Sequence, residues 1–167
     1  MNIESSDTRY DRSLPVEPGR TLVSGALAGI GVAGFIDETI FHQLLHWHHF
    51  YDKSTPTAGL VSDGLFHAFS WFCVVGGLFL LADLNRRAAT IPRRWWAGLC
   101  FGLGGFQLYD GTVQHKLMRL HQVRYHVNIV PYDLVWNVVA LLVLIVGILL
   151  YRSSADRDPA TSVPTGR

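Results

Sequence analysis

Four long apolar stretches constrain the fold of this chain more than any other feature of its sequence. They cover about residues 21–45, 60–84, 95–118 and 132–151. A hydrocarbon core about 30 Å thick needs roughly 20 apolar residues in helical form, so each stretch is long enough to cross a membrane. The fourth contains the run LLVLIVGILL, which argues against a soluble helical bundle. The sequence therefore predicts an all-α protein, an integral membrane four-helix bundle.

The segments outside these stretches are polar. Residues 1–20 and 153–167 are predicted to be flexible cytoplasmic tails on either side of a transmembrane domain at residues 21–152. No apolar run lies close enough to the start to suggest an ordinary cleaved signal peptide, so the first stretch is expected to remain as a helix. The two cysteines lie inside apolar stretches and predict no disulfide framework or zinc knuckle. A net charge of +1 gives no support for a nucleic-acid partner, and the expected partner is the lipid bilayer.

Arginine and lysine are distributed unevenly across the predicted membrane. Ten lie in the two tails and in the loop between the second and third stretches, and four lie in the other two loops. Cytoplasmic flanks of membrane helices carry the excess of positive charge. We therefore expect a multi-pass protein of the cytoplasmic membrane with both termini in the cytoplasm.

An internal repeat links the first and third stretches. Residues 25–48 align without a gap with residues 98–121, with eight identities in 24 positions. The identical pairs are Gly25/Gly98, Gly29/Gly102, Gly31/Gly104, Asp37/Asp110, Thr39/Thr112, His42/His115, Leu44/Leu117 and His48/His121. The repeat predicts two tandem helical hairpins related by an axis along the membrane normal. Because small residues allow close approach of helices in lipid, the first and third spans are expected to cross near the shared glycines.

The depth of each polar side chain follows from the rise of about 1.5 Å per helical residue. Asp37 and His67 are predicted at one depth in the outer third of the membrane, and His42 and Asp63 at a shallower one. In the second hairpin, Asp110 is predicted to lie at the same depth as Asn137, and His115 at the same depth as Asp133. All eight histidines of the chain are expected on the outer side.

Ionisable side chains inside a membrane are energetically costly, so they usually pair with one another, face the interior of the bundle or have a functional role. A carboxylate can orient a histidine whose other ring nitrogen binds a metal, or it can bind the metal directly. The predicted metal ligands are His42, His67, His115, Asp37, Asp63, Asp110 and Asp133. Weaker candidates are His48, His49, His121 and Glu38. This mixture of imidazoles and carboxylates suits Zn, Fe, Mn or Cu(II).

The spacing of the candidate ligands predicts a local irregularity. Asp37 and His42 are five residues apart, as are Asp110 and His115, which places each pair about 140° apart on a regular α-helix. A π-bulge would bring each pair onto one face, and such bulges are frequent at functional sites. Glu38, four residues before His42, is better aligned, but Gly111 is its counterpart in the repeat. The site is therefore expected to be incompletely symmetric.

Four motifs resemble those of a bacterial family of predicted membrane proteins classified as a domain of unknown function. They are GFIDETIFHQLLHWHH, SDGLFHAFSW, GGFQLYDGTVQHKLMRLHQV and PYDLVWN. The resemblance covers about residues 20–152 and implies a membrane location, without an activity, substrate or cofactor. In that family glycine usually follows the first aspartate, and Glu38 departs from this pattern.

Several functions remain open at this point. A metal site would serve a metalloenzyme or a redox protein. Alternatively, His42 and His115 could be the axial ligands of a haem. The Asp–His pairs could instead be structural, in a non-enzymatic subunit or assembly factor of a membrane complex or in a homo-oligomer, with Asp63 and Asp133 as helix caps. A proton-coupled transporter is a further alternative, although the inner half of the spans is nearly free of polar groups.

Overall fold

The computed structural model describes residues 16–155, and all regular secondary structure in this range is helical. The α-helices are α1 (Pro18–Asp37), α2 (Pro56–Arg86), α3 (Pro92–Tyr109) and α4 (Val130–Ala155). Two π-helical segments, π1 (Glu38–Leu44) and π2 (Asp110–Leu117), continue α1 and α3. The first three α-helices begin with proline, whose missing N–H is harmless in a first turn. Most of both predicted tails lies outside the described residues.

Three helical segments are long and apolar enough to cross a membrane. They are Pro18–Leu44, Pro56–Arg86 and Val130–Ser154. The segment formed by α3 and π2 is less apolar, because it begins with two arginines and contains Asp110 and Lys116. That this segment also spans the membrane stays a prediction of the sequence.

The four α-helices form an open row in the order α2, α1, α3, α4. The central helices α1 and α3 pack against each other, α2 packs on α1, and α4 packs on α3. In the described part of the chain, the backbone of α2 does not approach that of α3 or α4, although the rings of Phe66 of α2 and Phe106 of α3 stack at 5.7 Å between centroids. The prediction of a helical bundle built from two tandem hairpins is confirmed, and the two hairpins meet mainly through their first helices and the segments that follow them.

Glycines set the distance between α1 and α3, as the sequence predicted. A methyl group at Gly29 would overlap the carbonyl oxygen of Leu99, and one at Gly102 would overlap that of Ala26. Gly25 and Gly98 face the other helix in the same reciprocal way. Since equivalent residues exchange equivalent contacts, the two helices run parallel about a local two-fold axis.

The symmetry extends to the outer helices, which the sequence alone matched only weakly. Gly31 of α1 packs against the backbone of Ser70, and Gly104 of α3 packs against that of Ala140. Both contacts join antiparallel helices of one hairpin. The repeat therefore extends to the packing of the second helix of each hairpin.

Candidate metal centre

The π-helical segments bring acid and imidazole together at one end of the row. This end, formed by π1, π2 and the loops at residues 45–55 and 118–129, is called the histidine end below. His42 Nε2 lies 3.6 Å from Asp37 Oδ2, and His115 Nε2 lies 3.0 Å from Asp110 Oδ2. The wider turn of a π-helix places residues five apart on one face, so the predicted irregularity is confirmed in both halves.

The loops that follow turn back into the bundle and insert two more histidines. His46 and Arg119, equivalent in the repeat, adopt left-handed backbone angles with φ of 50° and 54°. Two residues later, the rings of His48 and His121 stack at 4.6 Å between centroids with an interplanar angle of 5°. Left-handed backbone is unfavourable for residues other than glycine and concentrates at functional sites.

Two equivalent groups of three residues result. We call Asp37, His42 and His48 the first triad, and Asp110, His115 and His121 the second triad. Within each triad the potential ligand atoms lie within 4.8 Å of one another, and every member is buried. The ring of His48 lies 4.5 Å from that of His42 and 6.2 Å from that of His115, so the two triads are neighbours in a single cluster.

Reciprocal hydrogen bonds between the two loops fix the orientation of the inserted rings. His48 Nδ1 donates to the carbonyl oxygen of Val123 at 2.9 Å, and His121 Nδ1 donates to that of Phe50 at 2.8 Å. Because a carbonyl oxygen only accepts, both Nδ1 atoms carry a proton, which leaves Nε2 of each ring as the atom available to a metal. Burial, with smaller effects from neighbouring histidines, lowers the pKa of His48 to about 2. The imidazole of His48 is therefore neutral, the form in which histidine binds metals.

The triads contain buried polar atoms that have no hydrogen-bond partner. His115 Nε2 and Asp110 Oδ2 lie at ion-pair distance, 3.0 Å apart, but neither has a hydrogen bond of good geometry within residues 16–155. The same holds in this range for Asp37 Oδ1, His42 Nε2, His48 Nε2, His115 Nδ1 and His121 Nε2. Buried polar groups are nearly always satisfied, so a cluster of such atoms requires an explanation such as a bound ion.

The first triad has additional carboxylates behind it. His42 Nδ1 donates to Glu38 Oε2 at 2.8 Å and lies 3.2 Å from Asp63 Oδ1. Asp63 also accepts hydrogen bonds from His49 Nδ1 at 2.6 Å and from the backbone N–H of Phe50 at 2.7 Å. Glu38, His42 and Asp63 form a third group that could hold a metal. In the first hairpin, Asp63 therefore contacts His42, the residue predicted to lie at the same depth.

The second triad lacks this support. Gly111 stands where the first half has Glu38, and any side chain there would meet Trp136. Asp133, the counterpart of Asp63, forms an ion pair with the exposed Lys116 instead. The structure therefore does not bring Asp133 to either triad.

His67 is the other predicted ligand that lies outside the cluster. Its ring packs against Phe35 at 5.3 Å between centroids, and it belongs to none of the groups that could hold a metal. The helical rise placed it at the depth of Asp37, but its angular position on α2 directs it elsewhere.

Two clefts lead from the loops to the triads. One, of about 380 Å³, is lined by His46, Trp47, His48, His49, Asp52 and Tyr125. The other, of about 490 Å³, is lined by His115, Lys116, Arg119, His121, Gln122 and Tyr125. Each cleft contacts one triad through its histidines, which provides an entry route for an ion.

Comparisons with known proteins agree with the membrane character of the chain. A family model described as "Predicted membrane protein (DUF2243)" matches residues 24–154. No curated protein and no solved structure matches the chain. The matched range includes both triads, all of α2 and α3, and most of α1 and α4.

Proposed function

We propose that this chain, which belongs to the DUF2243 family of predicted membrane proteins, binds two transition-metal ions at its neighbouring triads. One observation carries the proposal: unpartnered, buried ligand atoms converge twice in symmetry-related positions. Ligands bound to zinc or a similar ion lie about 2.0–2.2 Å from it. Atoms within 4.8 Å of one another therefore need only small shifts to share an ion.

The donor set favours iron or zinc at a reactive centre. Each triad offers two imidazoles and one carboxylate, the set found in non-haem iron oxygenases and in zinc hydrolases. Three protein ligands leave coordination positions open, whereas structural zinc sites use four protein ligands. We therefore propose a metalloenzyme or a redox protein, with the carboxylates behind His42 acting to orient that ring.

The geometry gives less support to the alternatives. A haem between His42 and His115 would need the space that the rings of His48 and His121 occupy. In a purely structural cluster, every buried acid and imidazole atom would have a partner, whereas Asp37 Oδ1 and His115 Nδ1 have none within residues 16–155. A proton carrier would need polar groups along the whole bundle, and the contact between α1 and α3 consists of glycines.

The proposed location is the cytoplasmic membrane, with the histidine end facing outward. The excess of arginine and lysine at the opposite end supports this orientation. Glu17 is held at that end by Arg87 and Arg20, whose hydrogen bonds lower its pKa. Ions would then reach the triads through the two clefts from the outer side.

Metal analysis of the purified full-length protein tests the proposal. Protein purified in detergent without chelators is expected to carry about two transition-metal ions per chain. Elemental analysis gives their identity and number, and an absorption spectrum distinguishes iron from colourless zinc. Failure to bind Fe(II), Zn, Mn or Cu(II), even after anaerobic reconstitution, would overturn the proposal.

Unequal retention of the two ions is expected from the asymmetry around His42. Because only the first triad has Glu38 behind it, the ion at the second triad should be released first by a chelator. Glu38→Gln should speed release from the first triad about 10- to 100-fold, so that the two phases merge. The kinetics of release to a coloured chelator measure this.

The matched control for that experiment is Asp133→Asn. It removes a carboxylate that is bound to Lys116 and not to a triad. Release from this variant should remain biphasic, and an unchanged two-phase release from Glu38→Gln would contradict the proposed role of Glu38.

A further inference from the structure

A cavity of about 730 Å³ lies between α2 and α3, whose backbones are apart although the rings of Phe66 and Phe106 stack in its wall. Its walls are mainly apolar and include Leu65 and Phe69 of α2 and Phe101 and Phe106 of α3. The volume is typical of a small-molecule site. Leu65 and Phe69 are largely exposed, so the cavity opens sideways towards the space that lipid would occupy.

One polar side chain at the cavity is buried and unsatisfied. Gln114 of π2 lines the cavity and is only 3% exposed. Its Oε1 atom has no hydrogen-bond partner within residues 16–155. Leaving such an acceptor unpaired is unfavourable, so an occupant with a hydrogen-bond donor would be stabilised there.

The remaining lining limits the chemistry of that donor. Among the described residues, no charged side chain lines the cavity, which disfavours phosphate, carboxylate and ammonium head groups. The hydroxyl of Ser62 is already engaged, since it donates to the Gly59 carbonyl at 2.6 Å and accepts from the Tyr51 N–H at 3.1 Å. Tyr109 also lines the cavity, but it is 48% exposed, so the buried polar partner is the amide of Gln114.

We propose that this cavity binds a neutral lipid with one hydrocarbon tail and a hydroxyl head, whose O–H donates to Gln114 Oε1. The lining extends from Gly102 to Gln114, which is about 18 Å along a helix and suits an extended chain. The tail lies against the aromatic side chains and leaves towards the bilayer past Leu65. This site is independent of the metal proposal.

The other half of the repeat offers an internal comparison. Phe41 occupies the position equivalent to Gln114 and lines the corresponding cavity between α1 and α4. That cavity is smaller, about 270 Å³. The amide in its lining, that of Gln107, is already engaged, because its Nε2 donates to the Trp136 carbonyl oxygen at 3.2 Å.

Two probes and three variants test the proposal in the full-length protein. The probes are 1-tetradecanol and its methyl ether, which differ in the hydroxyl donor. Gln114→Leu removes the amide, and Gly105→Leu fills the cavity from a position whose added Cβ would meet nothing within 4 Å. Gly76→Leu is the matched control, because this exposed glycine of α2 also faces open space. Native mass spectrometry from nanodiscs measures binding, with and without chelator.

Wild type is expected to bind one molecule of the alcohol, about tenfold more tightly than the ether. Gln114→Leu should weaken alcohol binding about tenfold and leave ether binding unchanged. Gly105→Leu should abolish both, whereas Gly76→Leu should match wild type. Equal binding of the two probes to wild type would overturn the proposal. Undiminished binding to Gly105→Leu would do so too, because the probe would then lie elsewhere. The same pattern is expected with metal removed, so failure here leaves the metal proposal untouched.

Discussion

Replacing His42 and His115 together by alanine is expected to leave the purified protein with only traces of transition metal. Each single variant should keep about one ion per chain, because each histidine belongs to a different triad. Losing one of three protein ligands should weaken binding by at least about 100-fold, since even an outer-shell change costs 10- to 100-fold. Elemental analysis of the four proteins, prepared in parallel, measures this pattern.

The control for that series is His67→Ala. It makes the same chemical change on a helix of the same bundle, but its ring packs against Phe35 outside the cluster. This variant should retain both ions. A double variant that unfolds at the wild-type temperature and still holds full metal would exclude the triads as the binding site.

Gly29→Ala is expected to lower the free energy of unfolding by about 3 kcal/mol, a large effect for a single methyl group. The added Cβ would overlap the carbonyl oxygen of Leu99, a backbone atom that cannot rotate away. The helices α1 and α3 must then separate or shift along their contact. Unfolding in mixed micelles, followed by circular dichroism, measures the loss.

Gly76→Ala is the matched control because it makes the same substitution inside a membrane helix. Its added Cβ would meet nothing within 4 Å. It should therefore leave stability unchanged or raise it by up to about 1 kcal/mol through better helix propensity. Equal stability of the two variants would show that the α1–α3 contact is looser than described.

Much of the fold could be predicted from the sequence because the signals are local. Runs of apolar residues mark the helices, and identities at a fixed offset mark the two hairpins. The close approach at Gly25 and Gly29 also follows from residue size alone. The open order of the helices could not be predicted from the sequence. Both outer helices are apolar on all sides, so they could equally have packed against each other in a closed four-helix bundle.

The sequence predicted how deep the candidate side chains lie along their helices, but not the side of the helix on which each one lies. The helical rise placed Asp37, His42 and Asp63 near one end, where the structure brings them together. The same reasoning included His67, because depth says nothing about the side of the helix on which a residue lies. His48 and His121 are weaker candidates in the sequence because they follow the spans, whereas the structure places both in the triads. Their equivalence in the repeat was the available signal.

Mutual dependence of the two halves follows from the crossed loop contacts. Each hairpin contains all three residues of its own triad, but the ring that completes it is oriented by a carbonyl of the other hairpin. A single hairpin would thus contain the three side chains of a triad but would lack the carbonyl group that orients one of them. Two such hairpins that associate as separate chains could make the same two hydrogen bonds. Duplication and fusion of the gene would then have preserved an arrangement already available to a homodimeric ancestor.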